Sequence, residues 1–577
     1  MPGFLINNYE REIVLNDPDV NSYVMEKCQY KSWIVQRNTL DKFFLDKTLY
    51  QNEEYIVLLE GVLLNKMDLF QKYHSEDVAS LAISMYHQIG EKFFKEFRGS
   101  FSGAFYSKKK DEWLIFTNHY GDNAVYYYFQ QDKFIIGSQL NYIADGLQEN
   151  GICYTLNDHA VHSMLTYGYM PDDRTYLNEV KRLYPGHYIR ISKDNLEICQ
   201  YFKICQNVYD LKHASKDEII DGLDQRFREA IRLEYEKDLE YGYRHLANLS
   251  GGLDSRMNLW VAKDMGYSNI LCVTFGQSNC TDEKVAKEIA EELGLEILVW
   301  PLDSAKHLFR IDDYIAMNKG AALYSGIGAQ IEILQSINSN MFGLMHTGQI
   351  GDVVIGTFIS NVNEMKDMTI GGTYSEKLIT KEEVDGTALE FENREQYLMF
   401  TRAFMGCLSS HFFIRNYTEI ASPFLNVDFF EYCLSIPLEL RINHYIYKKW
   451  ILSKYPKAAD FIWEKIGQKI TEKPIKSYLP KVKLAIKYPK LVLRKLGFHV
   501  QLNFKLTEGM NPFDLWWKKN KAFRNLYDNY FEKRINNPIF SDEIKEQLTT
   551  LYNEGSALEK AQVITALGTV NFFFSEK

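Results

Sequence analysis

The sequence predicts two bodies of different texture, a strand-rich α+β region over residues 1–205 and an α/β region over 206–470 built on a parallel sheet, followed by a helical region over 471–577. Three observations predict this. Before residue 200, apolar runs alternate with short polar turns; after Lys193, strand and helix patterns take turns; from about Glu390, helical spacing dominates. A chain of 577 residues also exceeds one ordinary core, and about 150 residues per domain suggests two to four domains.

The run YIVLLEG (Tyr55 to Gly61) and the stretch Asp111 to Ser138 read as strands. Their turns are expected at Lys108-Lys109-Lys110, Gly121-Asp122-Asn123 and Gln130-Gln131-Asp132, where polar and glycine residues gather. Val78 to Phe97 repeats apolar residues at helical spacing. Farther on, Lys216 to Leu239 reads as a charged amphipathic helix and Arg244 to Leu249 as a strand. The sequence SGGLDSRMNLWVAKDMG is a turn opening a helix. Asn269 to Phe275, the helix Asp282 to Leu293 closed by Gly294, and Leu295 to Val299 continue as consecutive parallel βαβ units. Ser422-Pro423-Phe424-Leu425 breaks the later helical patterns.

Composition narrows the classes. A hydrophobic content of 46% with 25% charged residues belongs to a globular protein, and 39 Tyr with 36 Phe suit aromatic cores. Core filling is therefore the reading for Tyr126-Tyr127-Tyr128 and Phe572-Phe573-Phe574. The net charge of −10 disfavours a nucleic-acid partner. No apolar run is long enough to span a bilayer, and no CxxC or HExxH pattern offers a zinc or thiol-redox site. Eight scattered cysteines, in a chain opening MPGFLINNYERE without a signal-peptide core, lead us to expect reduced thiols and a cytoplasmic location. Lys473 to Lys505 holds eight Lys and Arg494 with no acid, which reads either as a solvated basic face or as a contact with an anionic surface. His119, His187 and His245 lack partners at ligand spacing and are expected to be packed or surface residues.

The chemistry concentrates at Ser250-Gly251-Gly252-Leu253-Asp254-Ser255. A Ser-Gly-Gly-x-Asp-Ser loop between a strand and a helix lets backbone N–H groups approach an anion, and two hydroxyls add donors. Asp254 would repel phosphate unless a Mg²⁺ ion lay between them. The loop matches neither GxxxxGK[ST] nor GxGxxG. A second acidic element, Thr347-Gly348-Gln349-Ile350-Gly351-Asp352, stands at another expected strand end, and both loops can meet at the carboxyl edge of a doubly wound sheet. Asp254 and Asp352 then form a metal pair.

LSGGLDS resembles the pyrophosphate loop of asparagine synthetase and its relatives, β-lactam synthetase and the lasso-peptide cyclases. Other segments fall in that family's order: Phe97 to Tyr106, Tyr120-Gly121-Asp122, Tyr184 to Tyr188, Thr274-Phe275-Gly276, Asp282-Glu283 and Ser422 to Leu425, covering residues 50 to 470. The resemblance implies an N-terminal-nucleophile sandwich of glutamine amidotransferase type followed by a PP-loop ATP pyrophosphatase domain. It implies that the backbone around Leu249 and Thr274-Phe275 holds adenine, and that Ser250, Gly251, Gly252, Ser255 and Gly348 surround the pyrophosphate. Asp254 and Asp352 would bind Mg²⁺, and Lys449 or its neighbour Lys448 would steady the leaving group. Arg256 would help with phosphate or join a salt bridge.

The sequence also departs from that family. It opens Met1-Pro2-Gly3 where the family's glutaminase has an N-terminal cysteine, Cys28 does not substitute for that nucleophile, and the Asn-Gly-Glu segment aligns with Glu60-Gly61-Val62. An inactive glutaminase is the expectation. In the second half one acid of three remains in Gly348 to Val353, and the Arg and Asp of the acceptor motif are Ala421 and Asn426. The favoured expectation is an AMP-forming amide ligase using ATP and Mg²⁺, a small-molecule or glycan carboxylate and ammonia or an amine, with a homodimer as the candidate assembly. Orthodox asparagine synthesis and a non-catalytic nucleotide-binding protein are the alternatives.

Overall fold

A computed structural model describes residues 2–9, 13, 15, 23–192, 195–326, 328–367, 371–379, 391–471 and 509–575. The basic stretch 473–505 lies outside them.

The first body contains β1 (Gly3–Asn7), β2 (Tyr23–Tyr30), β3 (Trp33–Leu40), β4 (Thr48–Gln51), β5 (Tyr55–Leu63), β6 (Gly99–Ser107), β7 (Glu112–Thr117), β8 (Tyr126–Gln130), β9 (Lys133–Gly137), β10 (Lys181–Arg182), β11 (His187–Ser192) and β12 (Asn195–Gln200). They form two six-stranded antiparallel sheets, in the orders β10-β8-β9-β1-β3-β2 and β12-β11-β7-β6-β5-β4. The period-2 alternation of a strand explains why both faces of each sheet are apolar. Ile56 and Leu58 of β5 point at Phe4 and Ile6 of β1 across the sandwich. Tyr55, Val57 and Leu59 point the other way, onto the helix Val78–Ile89. The outer face of the first sheet likewise buries Leu5, Tyr126 and Tyr128 beneath the helix Leu140–Glu149. The expected helix over 78–97 stops at Ile89 because Gly90, at φ 83°, caps it and a separate short turn follows.

The second body carries β13 (Arg244–Asn248), β14 (Ile270–Gly276), β15 (Glu296–Pro301), β16 (Phe342–His346) and β17 (Ile420–Ala421), all parallel, in the order β15-β14-β13-β16-β17. Helix Lys216–Glu240 enters it through a capping box between Ser215 and Glu218. The chain adds β14 and β15 on one side of β13 and then crosses to place β16 on the other. The loops leaving β13 and β16 therefore diverge at a topological switch point, where a crevice opens at the carboxyl ends.

The last helices, Phe513–Lys519, Lys521–Arg534, Asp542–Glu554 and Ala557–Phe574, are not peripheral. Ala557–Phe574 runs buried between helices Asp158–Tyr167 and Ile311–Asn318 and completes the core on one face of the parallel sheet. Among the described residues no helix is long and apolar enough to cross a membrane.

Candidate functional site

The crevice brings the two motif loops into contact. Glycine is required there: a Cβ on Gly348 would stand 2.4 Å from the Ser255 nitrogen, and one on Gly351 would stand 2.7 Å from Asp254 Cγ. Ile350 between them adopts φ 61°, a strained position for a β-branched residue, which costs on the order of 1–3 kcal/mol and typifies sites where geometry is imposed for function. Asp352 then opens a π-helical turn over Asp352–Gly356, a second marker of that kind.

The two loops are joined at the Asp254 carboxylate. Asp352 N–H donates to Asp254 Oδ2 at 3.0 Å, and Tyr447 Oη donates to Asp254 Oδ1 at 2.8 Å. Burial, and then the neighbouring Asp352 carboxylate, push Asp254 up to about 8. Acidic oxygen donors that burial makes costly to ionise fit a hard divalent ion. Binding such an ion must expel the Asp254 proton, so apparent Mg²⁺ affinity should rise about tenfold per pH unit between pH 6 and 7.5. Isothermal titration at several pH values reads this slope, and a flat profile would refute it.

Around the pair, Ser250 N–H donates to Ser255 Oγ at 3.0 Å, Gly252 N–H donates to Ser250 Oγ at 3.2 Å, and the two hydroxyls lie 3.0 Å apart. Gly251 N–H is taken by Asp282 Oδ1 at 3.1 Å, so Asp282 holds the loop open from below. Leu249 is buried, its N–H donating to the Val273 carbonyl. Asn248 Oδ1 and Thr274 Oγ1, at the tips of β13 and β14, are buried without a hydrogen-bond partner, and Phe275 is half-buried beside them. These two orphaned groups fit a polar ligand lying across the strand ends.

Three placements differ from the sequence reading. Lys449 is exposed, its Nζ 5.9 Å from the Tyr445 ring, and its neighbour Lys448 is half-buried; the cation that reaches the pair is Lys465, 3.4 Å from Asp352 Oδ2. Lys465 belongs to the hairpin of β18 (Ile462–Trp463) and β19 (Gln468–Lys469), whose Glu464 N–H bonds the Gly251 carbonyl. Arg256 is spent on backbone, donating to the carbonyls of Gly251, Ala458 and Ile462, so it shapes the loop from beneath. His245 is no isolated histidine. Its Nδ1 lies 2.8 Å from Asp238 Oδ2, which also accepts from His346 Nε2 at 2.7 Å, while His346 Nδ1 faces Glu234 at 3.2 Å. The sequence reading also missed the wall at β14: Gln277 N–H donates to the Met510 carbonyl, and Trp516 Nε1 donates to Gln277 Oε1. Their sequence separation left no local signal.

In the sandwich, Glu60 is buried and tied to Arg37 (3.1 Å) and to Thr39 Oγ1 (2.8 Å). Only about 20 Å³ of space remains where Pro2, Gly3, Glu60, Gly61 and Asn123 meet. Cys28 lies elsewhere, on β2, and burial pushes its thiol up to about 11.

The molecule is thus an antiparallel αββα sandwich joined to a parallel sheet, with Asp254 and Asp352 on the loops at that sheet's switch point. Residues 48–202 match the glutamine amidotransferase domain family. The chain is 23% identical over 267 residues to the amidase chry2 of Gibberella zeae, covering 42% of this chain and 37% of that protein. It is 24% identical over 232 residues to a Methanocaldococcus jannaschii protein named as a glutamine-hydrolysing asparagine synthetase, covering 38% and 43%. The chain thus spans less than half the length of these relatives. The glutamine phosphoribosylpyrophosphate amidotransferase of B. subtilis superposes with a TM-score of 0.23 at 9% identity, over 47% of this chain and 76% of its own, too loosely to bear on the fold. The family match thus covers residues 48–202, and over less than half its length the chain is similar to a protein named as an asparagine synthetase.

Proposed function

We propose that the chain is an ATP-dependent, AMP-forming amide ligase that activates a carboxylate as its acyl-adenylate and passes the acyl group to ammonia or an amine, without hydrolysing glutamine itself. The observation that carries this is the Asp254–Asp352 pair, held within one hydrogen bond at the switch-point crevice. The two acids would hold Mg²⁺, which when bound neutralises triphosphate charge and favours attack at the α-phosphorus. The chain's own part is positional. Ser250, Gly252 and Ser255 present donors to the pyrophosphate, Asn248 and Thr274 offer unpaired groups to the nucleoside, and Lys465 brings positive charge to the leaving-group side.

Two features support the remaining clauses. A space of about 20 Å³ holds a water but no glutamine side chain, and no thiol lines it, so nitrogen would come from ammonia or another amine. Two positions at which the family carries acids, one in the acceptor motif (Asn426) and one in the Asp352 loop (Gln349), have structural duties here. Asn426 caps helix Val427–Ser435 by accepting from Asp428 N–H and Phe429 N–H, and Gln349 is held between His411 and Ser410. An acceptor other than aspartate follows.

The test is pyrophosphate release from ATP and Mg²⁺ with a panel of carboxylic acids plus ammonium. One or more acids should stimulate release; ATP binding without stimulation by any acid would leave a nucleotide-binding protein instead. Within the same assay Lys465→Ala should lower kcat about ten- to hundredfold and Lys449→Ala less than twofold, because Lys465 reaches the acidic pair and Lys449 does not. The reverse order would return the role to Lys449.

A further inference from the structure

Beside the acidic pair lies a cavity of about 210 Å³ that no step above uses. Three glycines build it. A Cβ on Gly168 would stand 2.7 Å from the Tyr374 ring, one on Gly406 would stand 2.8 Å from the Tyr169 ring, and Gly372, at φ 81°, packs on the Arg402 stem at 3.2 Å. The rings thereby lie flat on backbone and wall the space. Tyr169 is locked by its hydroxyl on the Gly372 carbonyl, whereas Tyr374 is 54% exposed at the mouth.

The polar content of the cavity is one-sided. Among the described residues Arg402 is exposed and forms no ion pair, and no acidic side chain lines the walls. Arg402 and Cys407 both stand on or just after the π-helical segment Met399–Gly406. On one wall Ser410 Oγ accepts from Gln349 Nε2 at 2.8 Å, which ties that wall to the loop carrying Asp352. The Ser410 wall therefore adjoins the Asp352 loop, and Arg402 is exposed.

We propose that this cavity is the acceptor pocket of the ligase and that it selects a small acid with two anionic groups separated by an apolar or aromatic body. This rests on the ligase reading. The carboxylate to be adenylated must lie at the Ser410 wall, toward the Asp352 loop, so the Arg402 guanidinium is left for the second anionic group, and Tyr374 covers the body between them. A volume below the ~300–1,000 Å³ of drug-sized pockets restricts the occupant to a small molecule. The balanced reaction joins the inner carboxylate to AMP with release of pyrophosphate, and the amine then displaces AMP and loses a proton. The second anionic group is unchanged throughout.

The experiment compares 4-carboxyphenylacetate with phenylacetate in the pyrophosphate assay, using the native chain, Arg402→Gln and Arg402→Lys. The native chain should prefer the diacid in kcat/KM. Arg402→Gln should lose that preference by about ten- to hundredfold, the worth of a charge-assisted hydrogen bond, and Arg402→Lys should keep part of it. An unchanged diacid-to-monoacid ratio in Arg402→Gln overturns the pocket. If no acid releases pyrophosphate from the native chain, the ligase reading is what fails. Calorimetric titration with 4-carboxyphenylacetate then decides the pocket: binding by the native chain that Arg402→Gln lacks supports it, and equal or absent binding overturns it.

Discussion

Asp254→Asn is expected to lose pyrophosphate release by about 10³-fold or more while unfolding at a higher temperature than the native chain. The loss follows from removing one of two charges that would hold the divalent ion. The gain follows from the same charge. Asp254 is raised from its ordinary 3.8 to about 8 by burial and by Asp352, so the native fold loses stability as pH climbs through that interval. Sign and window are fixed by that direction. Below the ordinary value Asp254 is protonated folded or unfolded, and the variant should gain nothing. As pH rises from 4 to 8 the unfolded chain ionises first, so the advantage of Asp254→Asn should grow, and above about 8 it should level off. The asparagine carbonyl oxygen keeps the bond from the Asp352 N–H, and its NH2 can donate to the Tyr447 hydroxyl oxygen once that hydroxyl turns, so the loop itself should persist. Adding ATP with Mg²⁺ should raise the melting temperature of the native chain and leave the variant unmoved. Thermal unfolding across pH, with and without nucleotide, reads all of this, and equal melting at pH 4 and 8 would remove the argument.

The second large effect is expected where the two bodies meet. Asp122, on the loop between β7 and β8, is buried and accepts from His411 Nδ1 at 2.9 Å and from Arg415 at 2.7 Å, with Ser100 Oγ donating at 3.0 Å. Burial works to raise its carboxyl, and the Arg415 guanidinium and His411 overcome this and hold it well below the usual carboxylate range. Asp122→Ala would leave a buried guanidinium and imidazole without their partner, a loss of about 3–5 kcal/mol, whereas Asp122→Asn keeps an acceptor and should cost less. The stabilisation is present above the ordinary carboxylate value and is lost only in strong acid, so the native chain and Asp122→Ala should converge as pH falls. Because His411 Nε2 meets the Gln349 carboxamide, and Gln349 shares its loop with Asp352, the same variant should also slow pyrophosphate release. Urea unfolding and the release assay test both halves of the statement. An Asp122→Ala chain as stable as the native one would show that the junction does not depend on this ion cluster.

Much of the fold was legible because its signals are local. The Ser215 capping box, Gly294 closing its helix, and the apolar strands of the βαβ units lie within a few residues of what they specify. The glycines and acids of the two loops could be singled out for a similar reason, since an anion-binding turn needs small residues and donors in one short segment. Glu60 shows where local reasoning stops. As a sequence position it is an acid opposing a developing charge, yet in the sandwich Arg37, on a strand more than twenty residues earlier, neutralises it.

What the sequence by itself determined is the order of strands and helices and the residue types that can meet phosphate and a cation. The tertiary structure alone decided which charges meet. Lys465 rather than Lys449 stands against Asp352, Arg256 turns inward to carbonyls, His245 joins Asp238 and His346, and Arg402, without an ion pair among the described residues, lines a glycine-built cavity. The physical reason is range. Periodicity and capping act between neighbours along the chain, whereas Coulomb interactions and hydrogen bonds act between neighbours in space, and those are set only once the sheets have packed.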